Sequence, residues 1–290
     1  MGFASTAEVV DAHLAGKEKY TSWRKVPVQV TTAGSWFDLS MSPGNPVAQY
    51  YAATPVTTKA LYKSTDGGIE HGGAVSPATK HLRKLMALSV VAGQVPMVMY
   101  LCDYVMYYPF VDMGFGTGAQ AMTNSITLPR WDGANDDLQV MAVTVAAGGF
   151  AADTFTFTYT NSDGDPGRVS PLCAMNTANS ATGTLLTSQT TRSRAHGPFL
   201  PLQAGDHGVQ SIQSVTLTSG VDTGLFTLVL VKPLATISLR GIDAPVEVDF
   251  LTDKGLQLPE VPDDAYLNFI VHPAGAIAGQ LLGDATFIWT

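Results

Sequence analysis

The chain has 290 residues, a formal net charge of -8, and only 14% charged side chains, against about 25% in an average soluble domain. A chain this long buries a full core without staples, exposing roughly 12,000 Å² when folded against about 44,000 Å² unfolded. The acidic balance, with no cationic cluster beyond residues 17–25, disfavours direct nucleic-acid binding. A mean hydropathy of +0.14 leaves an apolar surplus for a membrane, a large core or contacts with other subunits.

Taken in chain order, residues 5–20 form the best helix candidate. Ser5 or Thr6 caps it, Glu8 lies in the first turn, Val9, Val10, His13 and Leu14 fall near one face, and Lys17 and Lys19 suit its C-terminal end. With the basic, aromatic stretch that follows, including Trp23, Arg24 and Lys25, residues 1–25 read as an N-terminal arm. Its expected contact residues are Val9, Val10, Leu14, Trp23, Arg24 and Lys25.

From residue 26 onward the chain reads as short strands broken by turns, at 26–30 and 35–40, followed by the loop 42–46. Residues 76–91 start like a helix at Ser76-Pro77, but Leu82, Met86, Leu88 and Val90 alternate, and a strand is preferred. The longest uncharged stretch, 85–102, is interrupted by Gly93, Gln94 and Pro96, as in two buried strands joined by a turn rather than a membrane helix. Residues 98–101 and 104–108 continue as strand. No secretory n-region or h-region is visible at the start.

Later signals are sharper. Thr154-Phe155-Thr156-Phe157-Thr158-Tyr159-Thr160 puts its rings on one face and its hydroxyls on the other. A seven-residue loop then leads to a return run at 168–170. Residues 176–194, rich in Thr, Ser, Ala and Asn, read as an exposed loop or an edge hairpin inside a possible insertion at 161–197. Residues 211–218 and 224–232 look like a further strand pair, and 266–271 and 285–289 complete the series. The expected fold is therefore all-β, a jelly-roll-like sandwich over 26–290 behind a short helical arm.

Chemical signatures are weak. Cys102 and Cys173 lack metal spacing and read as buried thiols. Among the histidines, His71, His81, His196, His207 and His272 show no zinc pattern. Asp163-Gly164-Asp165 lacks the glutamate that would close a calcium loop. Gly114-Phe115-Gly116-Thr117-Gly118-Ala119 has dinucleotide-loop spacing, but Pro129 leaves no room for the required helix. Asp132, Asp136, Asp137, Asp263 and Asp264 offer carboxylate pairs that read as turn residues. The aromatic run 104–110 is a sugar platform or, more commonly at strand spacing, a core. No cofactor, metal or catalytic residue is expected.

Four passages resemble virion proteins of tailed bacteriophages: Ser35-Trp36-Phe37-Asp38-Leu39-Ser40 through Pro46, Asp103-Tyr104 through Asp112, Gly197-Pro198-Phe199-Leu200-Pro201 through Val209, and Arg240-Gly241-Ile242-Asp243-Ala244-Pro245. The resemblance implies a structural, non-enzymatic role in the virion. The expectation is a capsid decoration (cement) protein, trimeric, bound to the major capsid protein or other virion subunits and assembled in the host cytoplasm. Its alternatives are a tail or baseplate protein and a carbohydrate-binding or depolymerising module.

Overall fold

The computed structural model describes residues 2–28, 31, 33–52, 57–122, 126–133, 136–149, 153–175, 181–188, 193–277 and 279–290. Among these residues, one helix of more than a single turn, α1 (Thr6–Leu14), precedes ten main strands: β1 (Glu18–Lys25), β2 (Lys80–Ser89), β3 (Met97–Tyr107), β4 (Gln139–Ala146), β5 (Thr154–Asn161), β6 (Val209–Leu217), β7 (Leu225–Leu239), β8 (Val246–Asp249), β9 (Leu267–Pro273) and β10 (Leu281–Trp289). The fold is an all-β sandwich with a short N-terminal helix. Its accessible surface, 11369 Å², is close to what chain length alone predicts.

A central sheet carries β9, β3, β7 and β4 side by side, extended by short pairings at Phe37–Asp38, Lys59–Ala60 and Val111–Asp112. A second sheet runs β8-β2-β10-β1 with Gly44–Asn45 at its edge. A third pairs β5 with β6 and adds Ala119–Ala121, Arg168–Val169 and Cys173–Ala174. All named strand pairings are antiparallel.

Alternation along β3 shows how one sheet serves two sandwiches. Met97, Met99 and Leu101 enter a core shared with the second sheet, including Trp23, Leu82, Leu85 and Phe287. Val105, Met106 and Tyr108 enter a core shared with the third sheet, where Phe155, Phe157, Tyr159, Ile212 and Val215 come in from the other side. Cys102, Tyr104 and Tyr107 face a third cluster behind the sheet, closed by Met41, Tyr51, Leu61, Leu185 and Tyr266.

The changeover between the two sandwiches needs irregularity, and both long strands supply it. Pairing jumps between Leu230 and Val231, leaving Val105 unopposed, and again between Pro233 and Ala235, leaving Leu234 unopposed. A bulge turns an extra side chain to the same face and sharpens the twist. Proline, which has no N–H to give a ladder, is tolerated inside a strand at such a place. At about 3.3 Å per residue, the 15 residues of β7 reach roughly 50 Å, across both lobes.

Two buried carboxylates pin the central sheet, Asp38 behind it and Asp103 on its opposite face. Asp38 accepts from Ser40 N (2.8 Å), Ser40 Oγ (2.7 Å), Tyr51 Oη (2.9 Å) and Tyr104 Oη (2.7 Å). Burial pushes its pKa up against the pull of these donors. Asp103 receives Arg130 bidentately, Nε to Oδ2 and Nη2 to Oδ1 at 2.6 Å each, with Trp131 Nε1 at 2.7 Å and Tyr266 N at 3.0 Å. Every donor a buried anion needs is present.

Several expectations are met: strands over Lys80–Ser89 and Met97–Tyr107, the alternating strand Thr154–Asn161 with its return pairing at Arg168–Val169, and the closing strands. Others are corrected. The two runs read as a mutual pair, 211–218 and 224–232, lie in different sheets, β6 on β5 and β7 between β3 and β4. Residues 26–28 are not strand, and 29 and 30 lie outside the described residues. Residues 181–188, part of the stretch read as an exposed loop or an edge hairpin, are almost wholly buried, with bridges Phe37 to Thr184 and Val143 to Leu185. The remainder of 176–192 lies outside the described residues.

Candidate docking surface

Helix α1 starts where Ser5 Oγ accepts from Glu8 N, and Glu8 reaches back to Ala4 N. Val9 and Ala12, three residues apart, sit against Ile288 of β10 and fix the helix to the second sheet. The other side is open: Ala7, Val10 and Leu14 are exposed, Val10 at 49% and Leu14 at 78%. Spacings of three and four place these side chains in one outward stripe.

Of the six residues expected to make contacts, the structure brings Val10 and Leu14 to this stripe and leaves Arg24 exposed on β1. Val9 is spent on the helix's own sheet. Trp23 and Lys25 are corrections, because both are core residues. The arm ends before residue 18, since β1 pairs along its whole length with β10, from Glu18 with Ile288 to Lys25 with Leu281. Alternation on a strand sends every second side chain inward, so Trp23 and Lys25 point away from solvent while Arg24 points into it.

Trp23 is 2% exposed and packs on Phe269, ring centroids 4.3 Å apart. Gly283 makes the room, since a Cβ there would lie 1.9 Å from Met86 O and 2.8 Å from Trp23 Cζ2. The Lys25 ammonium donates to the carbonyls of Ser42 and Pro46, both at 3.0 Å. Burial lowers its pKa to about 8, opposed by the nearby Asp38 charge.

Beyond the helix, the outer face of the second sheet is polar. A groove of about 270 Å³ crosses it, lined among others by Tyr20, Arg83, Lys84, Glu247 and Asp284. Its charges are paired across strands, Arg83 with Glu18 at 3.1 Å and Lys84 with Glu247 at 2.6 Å. A hydrogen bond to Asp284 holds the Tyr20 hydroxyl above its ordinary pKa.

The weaker sequence signals resolve as architecture. The stretch 114–119 leads into the strand Ala119–Ala121 instead of a helix. His71 is buried, its Nε2 3.0 Å from Ala265 O and its Nδ1 3.2 Å from Lys80 Nζ, and burial lowers its pKa to about 4. Asp263 accepts from Val75 N and Ser76 N and pairs with Lys80 at 3.4 Å. Asp264 holds Ser64 through its backbone N and its Oγ. Tyr104, Tyr107 and Tyr108 are buried to 2% exposure or less, which removes the sugar platform read at 104–110. Cys102 and Cys173 are free, buried and in different clusters. Among the described residues no group of three or more His, Cys, Asp or Glu is arranged to hold a metal ion, and no helix is long and apolar enough to cross a membrane.

No protein-family model matches the chain, and no curated protein matches it. Among solved structures it is similar to the VP2 subviral particle of infectious bursal disease virus, at 7% identity over 94% of this chain and 81% of that one, with a TM-score of 0.16. The structure of the Gx strain of the same virus gives 10% identity, 94% and 80% coverage, and a TM-score of 0.17. At these TM-scores the likeness carries no argument, and the architecture stands on the chain's own strands.

Proposed function

We propose that this chain is a structural protein of a virus particle, a capsid decoration protein that strengthens a shell through contacts with the major capsid protein and with its own copies, as a trimer. The observation that supports this reading is the outward stripe of Ala7, Val10 and Leu14 on a helix whose opposite side is already fixed to β10. An apolar seam held rigidly outward loses little conformational freedom on docking, so most of the gain from burying it, about 25 cal/mol per Å², survives as binding. Repetition over symmetric copies multiplies a modest contact. Site of action is then the virion, with assembly in the host cytoplasm.

Removing the first twenty residues is a poor test, because it deletes part of β1 and with it the sheet. The variant carrying Val10→Glu and Leu14→Glu changes only exposed side chains. The isolated variant should melt within about 1 °C of the parent, since exposed substitutions alter stability by roughly 0.5 kcal/mol or less. Its copy number on purified particles should fall at least several-fold. Full occupancy by this variant refutes the docking role of the seam. Immunogold labelling on the tail rather than the shell would replace decoration with a tail or baseplate role.

A further inference from the structure

His207 stands where three loops meet at one end of the lobe built on β5 and β6, far along the chain from α1. The backbone brings them together. Ser162 N donates to Gly208 O (3.0 Å), Val209 N to Leu138 O (3.0 Å), and Gln139 Nε2 to His207 O (3.0 Å). The approach is close enough that a Cβ on Gly208 would lie 2.7 Å from the Asp137 Cα. Asp137 itself takes a positive φ of 35°, a conformation that L residues adopt at a cost and that Asp tolerates better than most.

The imidazole faces a carboxylate on each side. Nδ1 contacts Asp137 Oδ1, with Ser162 Oγ at 3.1 Å, and Nε2 lies 3.8 Å from Asp163 Oδ2. A neutral ring has one N–H and one lone pair, so it satisfies one carboxylate and turns a lone pair toward the other; the imidazolium has a donor for each. Two neighbouring carboxylates have partners of their own. Asp206, on the same loop, is held by Arg168 through two hydrogen bonds and by Tyr159 and Asn161. Asp136 turns to Gly133 N, while Lys232 donates to the Asp136 carbonyl. No cation on these contacts competes with His207 for Asp137 or Asp163.

We propose that His207 is the bolt of a pH-operated clamp: protonated, it ties residues 136–138 and the 161–167 hairpin tip to the 203–208 loop, and on losing its proton it keeps Asp137, releases Asp163 and loosens the hairpin tip. The neighbouring carboxylates Asp137, Asp163 and Asp206 also hold the imidazole pKa above its ordinary value. A raised pKa in the folded state means that the clamp's stabilisation is fully present below the unfolded value of about 6.5 and fades as pH rises through the folded one. Closure at mildly acidic pH and opening at alkaline pH follow.

Hydrogen exchange of the full-length protein, corrected for intrinsic rates, reads the clamp directly. Protection in peptides covering 161–167 and 203–208 should fall a few-fold between pH 5.5 and 8.5, on the order of what a half-exposed ion pair contributes, while β7 stays unchanged. His207→Gln should show the low protection at both pH values. In Asp137→Asn the imidazole resonance of His207, followed by NMR, should titrate at lower pH than in the parent. Equal loop protection at the two pH values in the parent, or a parent midpoint no higher than that of a histidine in an unfolded peptide, overturns the proposal.

Discussion

Replacing Trp23 by alanine separates a core strand from a docking arm. The side chain is 2% exposed and wedged between Phe269 and the glycine at 283. Burying roughly 200 Å² of tryptophan at about 25 cal/mol per Å² is worth about 5 kcal/mol. Truncation in a core costs about 3–5 kcal/mol once the cavity has partly relaxed. For a chain of this size that corresponds to a fall in Tm on the order of 5–15 °C. Trp23→Phe keeps most of the packing and discards an indole N–H that has no acceptor, so its cost should be only about 1–2 kcal/mol. Thermal and urea unfolding of the isolated protein, followed by circular dichroism, measure both variants. If Trp23→Ala unfolds with the parent's Tm, β1 is not a core strand and the assignment of Trp23 is wrong.

Arg130→Ala leaves Asp103 buried with a charge and no guanidinium; breaking a buried pair from one side costs about 3–5 kcal/mol, and the urea midpoint should drop accordingly, with Arg130→Lys recovering only part because one ammonium cannot span both oxygens. Asp206 is held down to about 2 by the Arg168 guanidinium first and by Tyr159 and Asn161. A depressed carboxylate stabilises above its unfolded pKa of 3.8 and loses that contribution as pH falls toward about 2. Asp206→Asn should therefore be less stable than the parent at pH 6, with the gap closing by pH 2.5; a gap that stays constant across this range contradicts the pairing.

The fold class was legible because the strongest strands advertise their faces. In β5 the Thr and aromatic residues alternate, and their burial alternates with them, so period and environment agree. Pairing was not legible from spacing. Residues 211–218 and 224–232 are neighbours in sequence, yet a hairpin between them would have put Ile212 and Val215 in the central sheet instead of opposite Tyr159 and Phe157. Strand β4 went unassigned, since Gln139-Val140-Met141-Ala142-Val143-Thr144-Val145-Ala146 is buried on both faces and such a strand loses its alternation.

Composition misled in a more instructive way. Residues 181–188 are Ala, Thr, Gly, Thr, Leu, Leu, Thr and Ser, which suggest a loop, but Thr187 and Ser188 are buried with their hydroxyls bonded to backbone, Thr187 Oγ1 to His196 O at 2.5 Å and Ser188 Oγ to Leu185 O at 2.8 Å. Hydroxyls that satisfy themselves on nearby backbone are cheap to bury. At the helix, the pattern grouped Val9 with Val10 and Leu14 on one face, whereas Val9 turns inward to β10, and it missed that Trp23 and Lys25 belong to the next element, because a basic aromatic stretch looks the same in an arm and in an inner strand.

The low charge that first suggested contacts with other subunits has a largely internal cause. Apolar side chains cover both faces of the central sheet, a demand that an ordinary two-layer sandwich does not make. The outer wall at β5 and β6 adds to the effect without being greasy: its solvent-facing positions are Thr154, Thr156, Thr158 and Thr160 on one strand and Ser211, Gln213, Ser214 and Thr216 on the other, with no charged residue in either strand. Hydroxyls and amides keep such a face wet while repelling nothing that approaches it, and they carry little desolvation cost when an approaching surface offers hydrogen bonds in return. The exposed apolar side chains that remain are scattered, Val28, Val47, Phe115 and Val221 among them. The α1 stripe is one place where they line up, and a docking contact of that size would hold only where many copies share it.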